Sequence, residues 1–498
     1  MLRVENLTVS YGDRPAVAGV DLHLGEGEAL GLVGESGCGK STIARAILKL
    51  LPANSTMTGQ VSAAGKIGLI FQDPMTRLNP VLTIKSQAWE TIYAHYPHLS
   101  AKQAEARWKA VLEAMHLPSH CQHQYPHQLS GGQRQRVMIA LTLLLEPLVL
   151  IADEPTTSLD ITVAQEILTE LHQLRRERGM GLILISHDLG LVAKYCDRLA
   201  VMHQGRIVEI GSVASILKHP QQTYTQYLLR SVIHWGEQHQ VEPKPEVLLS
   251  VRHLSKTYHL GWHRHIKAVD DLSFQVQTGA SLGIIGESGS GKSTTARLIL
   301  RLIPADGGAI VFDGIELMSL TLGQFHHFRR HLQMICQDPR ASFHPHLSIL
   351  ESVSDALLAH GVPAQQARTQ SLEMLARVGI DLALAQRYPR ALSGGQLQRC
   401  AIARALVLQP KLLICDEPVS MLDATIQRQV LELLLELQRE FQLTYIFITH
   451  DLAVAQFFCS HLAVMQRGKI VEQGTTNTVF QTPQHPYTQT LLTSFPHL

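Results

Sequence analysis

An α/β architecture built twice in tandem is the fold that this 498-residue sequence specifies. Three observations carry it. Continuous apolar runs of strand length, 148–152 and 182–185, lead into Asp153 and into Ser186-His187, as suits a parallel sheet covered on both faces. A glycine-rich turn stands between an apolar run and a helix-like run, and it does so twice: Gly34-Glu-Ser-Gly-Cys-Gly-Lys-Ser-Thr42 and Gly286-Glu-Ser-Gly-Ser-Gly-Lys-Ser-Thr294. The later signals then follow at fixed steps, with 23 positions from Ser130 to Asp153 and from Ser393 to Asp416, and 34 from Asp153 to His187 and from Asp416 to His450. A period of 252, from Lys40 to Lys292, is far too long for a solenoid repeat and means two copies of one domain.

The order of elements is the same in both copies. Residues 1–10 alternate apolar and polar like a strand, and a strand then enters the glycine loop and its helix. A mainly helical stretch follows over about 74–128 and 339–391. The pentapeptides Leu129-Ser-Gly-Gly-Gln133 and Leu392-Ser-Gly-Gly-Gln396 come next, then Asp153-Glu-Pro155 and Asp416-Glu-Pro418. The expected domains are 1–230 and 247–498. Residues 231–246, polar and carrying two prolines, read as a linker.

Composition excludes several classes. A charged fraction of 17% against 45% hydrophobic residues is that of a globular chain, and a net charge of +1 gives no bulk attraction to nucleic acid or anionic lipid. The start of the sequence reads as a strand rather than a leader, and no apolar run approaches the roughly 20 residues that span a bilayer. The chain is therefore not expected to form a membrane path itself. Seven scattered cysteines without a Cys-x-x-Cys pair fit reduced thiols. The 27 histidines are dense at His263-Arg-His265 and His326-His327, yet none stands in a metal-ligand frame with thiols or carboxylates.

The glycine loops carry the chemistry. Backbone N–H groups along Gly34, Gly37 and Gly39, and along Gly286, Gly289 and Gly291, can cradle phosphate oxygens at a helix N-terminus. Lys40 and Lys292 then reach the β- and γ-phosphates, and Ser41 and Ser293 ligate Mg²⁺, with Thr42 and Thr294 beside them. Asp153 and Asp416 close apolar runs where a carboxylate can hold the metal's water shell. Glu154 and Glu417, one residue on, are placed to orient or deprotonate an attacking water. His187 and His450, alone, would pass as structural histidines; their recurrence at one spacing makes them γ-phosphate contacts.

Together these residues resemble the nucleotide-binding domains of ABC transporters, over nearly the whole chain. The Leu-Ser-Gly-Gly-Gln pentapeptide is the motif that separates that family from other P-loop proteins. The resemblance implies two P-loop NTPase domains, each with a mainly parallel sheet core, an antiparallel β subdomain and a helical subdomain, sandwiching two ATPs head to tail. One site would use Lys40, Ser41, Gln72, Asp153, Glu154 and His187 with Ser393, Gly395 and Gln396. The other would use Lys292, Ser293, Gln337, Asp416, Glu417 and His450 with Ser130, Gly132 and Gln133. Ser41, Gln72 and Asp153, and likewise Ser293, Gln337 and Asp416, would hold Mg²⁺ directly or through water. Tyr11 and Tyr258 match the adenine-stacking position, although each also reads as a plain strand aromatic. With neither glutamate nor signature altered, both sites are expected to hydrolyse ATP.

The segment from Gln72 to Pro80, Gln-Asp-Pro-Met-Thr-Arg-Leu-Asn-Pro, is similar to that of peptide and nickel importers; its twin from Gln337 to Pro345 has Phe-His in place of Leu-Asn. Related tags close the two halves, His219-Pro-Gln-Gln-Thr-Tyr-Thr225 and His485-Pro-Tyr-Thr488. The resemblance implies two integral membrane permease subunits and a substrate-binding protein as partners, at the cytoplasmic face of the inner membrane. The alternative is a soluble tandem ATPase acting on ribosomes, whose long charged linker has no counterpart here. Three departures stand out: no cysteines for an iron–sulfur cluster in 231–247 or after Leu492, a first copy shorter between loop and glutamine (32 positions against 45), and Cys38 where the second loop has Ser290. A thiol this near a helix N-terminus has two readings of at least equal standing, an acidified, reactive group or a small residue tolerated in the loop.

Overall fold

A computed structural model describes residues 1–71, 77–156, 159, 161–239, 243–259 and 265–493. Its internal contacts divide the chain into two compact units, Met1–Val232 and the residues from Ile233 onward. Each unit is built from two sheets. In the first, β1 (Leu2–Tyr11), β2 (Arg14–Leu24) and β4 (Ser55–Ala63) form an antiparallel sheet in the order β2-β1-β4. The six-stranded sheet runs β5-β6-β7-β3-β8-β9, from β3 (Ala29–Val33), β5 (Ile67–Ile70), β6 (Val149–Asp153), β7 (Gly181–Ile185), β8 (Arg198–His203) and β9 (Arg206–Ser212). All its neighbours are parallel except β8 and β9.

The second unit repeats the plan. Strands β10 (Val247–His259), β11 (His265–Gln277), β13 (Gly307–Phe312) and β14 (Ile315–Glu316) form the antiparallel sheet. Strands β12 (Ser281–Ile285), β15 (Leu332–Ile335), β16 (Leu412–Asp416), β17 (Thr444–Thr449), β18 (His461–Gln466) and β19 (Lys469–Thr475) form the other, in the order β15-β16-β17-β12-β18-β19. The central strands β3, β6, β7, β12, β16 and β17 are buried at every residue, the physical reason that their sequences do not alternate.

The helical stretches are present: Ile84–His95 and Ala101–Ala114 in unit 1, Ile349–Leu358 and Ala364–Arg377 in unit 2. Trp108, fully buried, centres the first. The 13-position difference between the copies also has a location. Unit 2 inserts β14, a short 3₁₀ turn and the helix Leu322–Arg329 ahead of β15, whereas β4 leads directly to β5 in unit 1. No helix among the described residues is long and apolar enough to cross a membrane.

Within the connecting stretch, residues 233–239 are held against unit 2. Ser231 and Val232 complete unit 1, but Ile233 and Trp235 pack against the core of unit 2. The Trp235 ring meets Phe480 edge-on at 5.0 Å, the Gly236 N–H donates to Gln456 Oε1 at 2.8 Å, and Glu237 pairs with the Arg428 guanidinium. His239 donates its backbone N–H to the Phe457 carbonyl at 3.0 Å. Apolar anchors alternating with paired polar groups give this stretch a fixed seat although its composition is that of a loop. Trp235→Ala is therefore expected to make residues 233–239 a preferred cleavage site, releasing two half-chains in limited digestion with proteinase K several-fold faster than from the wild type. Equal rates would show that the ring does not hold the segment down.

Candidate functional site

The strand register assembles each site. Asp153 pairs level with Ile185, and Leu32 is level with Ile185 on the other side, so β6, β7 and β3 end together. Gly34, Glu154 and His187 then follow within two residues of these ends. In unit 2, Asp416 and Ile284 are both level with Ile448, and Gly286, Glu417 and His450 take the same places. Carboxyl ends of adjacent parallel strands are where such sheets form a binding crevice.

The loop at the end of β3 is shaped by glycine. Gly34 has φ 150°, and a Cβ there would lie 2.1 Å from the Met202 carbonyl oxygen of β8; at Gly39, φ 108°, it would lie 2.4 Å from the Ala16 carbonyl. Gly286 and Gly291 meet Met465 and Ala268 in the same way, at 2.2 Å each. Only glycine fits where the backbone is left-handed and another strand passes this closely. Lys40 and Lys292 are buried, each ammonium donating to two carbonyls of its own loop, Gly34 (2.7 Å) and Glu35 (2.9 Å) or Gly286 (2.7 Å) and Glu287 (2.9 Å). A desolvated cation held over a ring of backbone amides suits a phosphate anion.

Ser41 and Ser293, at the second position of their helices with Thr42 and Thr294 next, donate to Asp153 Oδ1 and Asp416 Oδ1, both at 3.0 Å. Burial pushes both aspartates up from the ordinary carboxylate range, against the serine hydrogen bond that favours the anion. A hydroxyl facing a buried carboxylate at the mouth of the loop is an all-oxygen donor set that fits Mg²⁺.

Glu154 and Glu417 adopt left-handed backbone, φ 48° and 49°, held by N–H bonds to the Ile185 and Ile448 carbonyls at 3.0 and 2.9 Å. That strained turn brings each carboxylate to its histidine, with Nδ1–Oε1 of 3.6 Å for His187 and 3.2 Å for His450. Burial alone would lower the pKa of either imidazole, but the glutamate hydrogen bond and charge outweigh it and raise it. Gln337 donates to Glu417 Oε2 at 2.9 Å, joining glutamine, glutamate and histidine in one line. Its counterpart Gln72 lies outside the described residues, as does His263.

The pentapeptides sit elsewhere in each unit. Ser130 and Ser393 cap the helices Gly131–Leu143 and Gly394–Leu406, bonded reciprocally with Gln133 and Gln396. Gly132 and Gly395 face Val163 and Ile426, which a Cβ would approach to 2.7 and 2.5 Å. Tyr11 and Tyr258 lie on the antiparallel sheets, opposite Arg14 and Ile266, with the Lys256 ammonium 5.9 Å from the Tyr258 ring centre.

Cys38 takes the plainer of its two readings. It is 7% exposed and belongs to the core beneath the loop, and burial pushes its thiol up, outweighing the Lys40 ammonium 3.8 Å away. Proximity to a helix start does not acidify a thiol that water cannot reach. Its counterpart Ser290 is equally buried, with no hydrogen-bond partner at Oγ, so the apolar sulfur suits this position as well as the hydroxyl does.

Fold and site together define a phosphate-loop nucleotide-binding domain present twice. The family profile described as "ABC transporter" matches residues 17–157 and 269–420, and one described as "Oligopeptide/dipeptide transporter, C-terminal region" matches 208–256 and 471–498. The chain belongs to the ABC transporter family and is an ABC-type ATPase. It is 40% identical to the glutathione import ATP-binding protein GsiA of Escherichia coli (strain K12), over 100% of this chain and 89% of that protein. The GsiA of Shigella boydii serotype 4 (strain Sb227) has the same identity and coverage. Among solved structures, the archaeal ribosome recycling factor aABCE1, in complex with the stalk protein aP1, aligns with a TM-score of 0.65 over 93% of this chain and 88% of that one. At 20% identity the likeness is one of fold.

The two loops generate a chemical prediction. In the native protein, iodoacetamide should label Cys38 at least tenfold more slowly than the exposed Cys336, and unfolding should equalise them. Peptide mass spectrometry over a time course reads both, and equal native rates would contradict the burial of the first thiol.

Proposed function

We propose that this chain is the ATP-hydrolysing subunit of an importer, coupling two composite ATP sites to the uptake of short peptides. The observation that carries this reading is the oligopeptide/dipeptide transporter region matched at the end of both halves, each next to a complete set of loop, Asp-Glu and histidine residues. The GsiA proteins, named for glutathione import, make a tripeptide of that size the first cargo to test. A nickel chelate is the other cargo class to which the short tails point.

In each site the lysine, Lys40 or Lys292, leaves its loop carbonyls for the β- and γ-phosphates. The serine, the aspartate and the glutamine (Ser41, Asp153, Gln72; Ser293, Asp416, Gln337) would hold Mg²⁺, which would supply positive charge to offset that developing on the phosphates. Glu154 or Glu417 takes the proton of the attacking water, and His187 or His450 steadies the γ-phosphate and that carboxylate. The sites are completed head to tail: Ser393, Gly395 and Gln396 serve the first loop, and Ser130, Gly132 and Gln133 the second, each presenting a helix N-terminus to the γ-phosphate. Tyr11 and Tyr258 stack on adenine. Two integral permease subunits and a substrate-binding protein complete the importer, with this chain peripheral at the cytoplasmic face of the inner membrane.

Glu154→Gln combined with Glu417→Gln should lower ATP turnover by about 10²–10⁴-fold while nucleotide binding persists, and should abolish uptake of labelled glutathione and dipeptides in cells. Two multi-span subunits should accompany the tagged variant from membranes with ATP. Persistent uptake in the double variant, or recovery of ribosomal proteins without a permease, would overturn the reading.

A further inference from the structure

The C-terminal tags, which the catalytic scheme leaves unused, reach the phosphate loops. In unit 1 the helix Thr223–Ser231 carries Tyr224 at its second position, and the Glu35 N–H donates to its hydroxyl oxygen at 3.2 Å across 189 positions of sequence. In unit 2 the helix Pro486–Thr493 carries Tyr487 at its second position, and the Glu287 N–H donates to that hydroxyl at 3.1 Å, across 200 positions. The contact is thus made twice, between equivalent atoms, in tags that also share a Thr-Gln step after the tyrosine and a Leu-Leu pair beyond it.

Each tyrosine is held from behind. Glu209 on β9 accepts the N–H groups of Gln221 (2.9 Å) and Gln222 (3.1 Å) just ahead of the tag helix, and Glu472 on β19 accepts those of Gln484 (2.8 Å) and His485 (3.0 Å). Partial burial would raise both carboxylates, but these amide hydrogen bonds prevail and lower them. In unit 1 the Tyr224 ring also stacks on His203 at 3.9 Å. The residue caught at the other end has a second duty, because the Glu35 carbonyl accepts from Lys40 and the Glu287 carbonyl from Lys292. One peptide unit away from the tyrosine, therefore, lies the lysine that answers to phosphate.

We infer that Tyr224 and Tyr487 are positioning residues for ATP: each pins the entry of its phosphate loop, so that the loop's remaining amides and its lysine are already set when nucleotide arrives. The tag is then the loop's outer support rather than a terminal ornament, and it makes nucleotide affinity depend on the seating of the C-terminal helix of the same unit. A preset loop spends less of its binding energy on ordering, so the effect falls on affinity more than on turnover.

Tyr224→Phe and Tyr487→Phe keep the ring and lose only the hydroxyl. In the full chain, each single change should speed amide hydrogen exchange about fivefold in its own loop, 33–40 or 285–292, and leave the other loop as it was. The double variant should raise KM for ATP about fivefold with kcat within about twofold and the melting temperature little changed. Glu209→Gln, which keeps the hydroxyl but loosens its anchor, should move exchange in the first loop the same way. Unchanged exchange and KM in a folded double variant would overturn the inference. So would a fall in kcat and melting temperature with the loops still protected, which is what a packing role alone would produce.

Discussion

The chemistry of each unit depends on three parallel strands that end level. Because β6, β7 and β3 stop on one row, and β16, β17 and β12 on another, an aspartate, a histidine and a phosphate loop that are distant in sequence are brought to neighbouring strand ends. Side chains in a sheet reverse face with each residue, so a slip of one position in either ladder would turn Asp153 away from Ser41. The complete burial of these strands enforces the register, since any slip would disturb packing on both faces. The apolar runs without alternation and the catalytic geometry are thus one constraint expressed twice.

The two copies agree where chemistry demands it and diverge where it does not. Loop, aspartate, glutamate and histidine superpose in their hydrogen bonds to within a few tenths of an ångström. The insertion of β14 and its helix, the exchange of Cys38 for Ser290, and the seat of residues 233–239 belong to one copy only. That seat has no twin: Arg428, Phe457 and Phe480 of unit 2 stand where unit 1 has Gln165, Lys194 and Leu217. The repeated plan thus holds at the phosphate loop and the strand ends and departs around them.

Much of this was legible in the sequence, for physical reasons. Glycines at a loop that touches another strand, a lysine and serine at a helix start, and acids closing apolar strands are dictated by local geometry, so the residues announce themselves at fixed spacing. What was hidden depends on long-range contact. Glu154 and Glu417 gave no sign of left-handed backbone, because glutamate is not a residue that usually adopts it. Tyr224 and Tyr487 looked like parts of a terminal tag, although their repeat at the same offset as Asp153 and Asp416 was a clue. Residues 233–239 read as part of a linker because Gly236, Glu237 and His239 find their partners some two hundred positions away. Cys38 was left between two readings because distance along the chain to a helix start says nothing of exposure, which decides its chemistry.

The seat of the connecting segment bears on how the protein is made. Trp235 docks on Phe480, and Glu237 on Arg428, so neither has a place to go when it leaves the ribosome. At about 5–20 residues per second, roughly 10–50 s of synthesis separate Trp235 from its ring partner. Throughout that interval unit 1 is complete and must stand by itself, trailing an unseated tryptophan. The segment can take its seat only once residues 428–480 of the second unit have been made, so its order comes from the half synthesised after it.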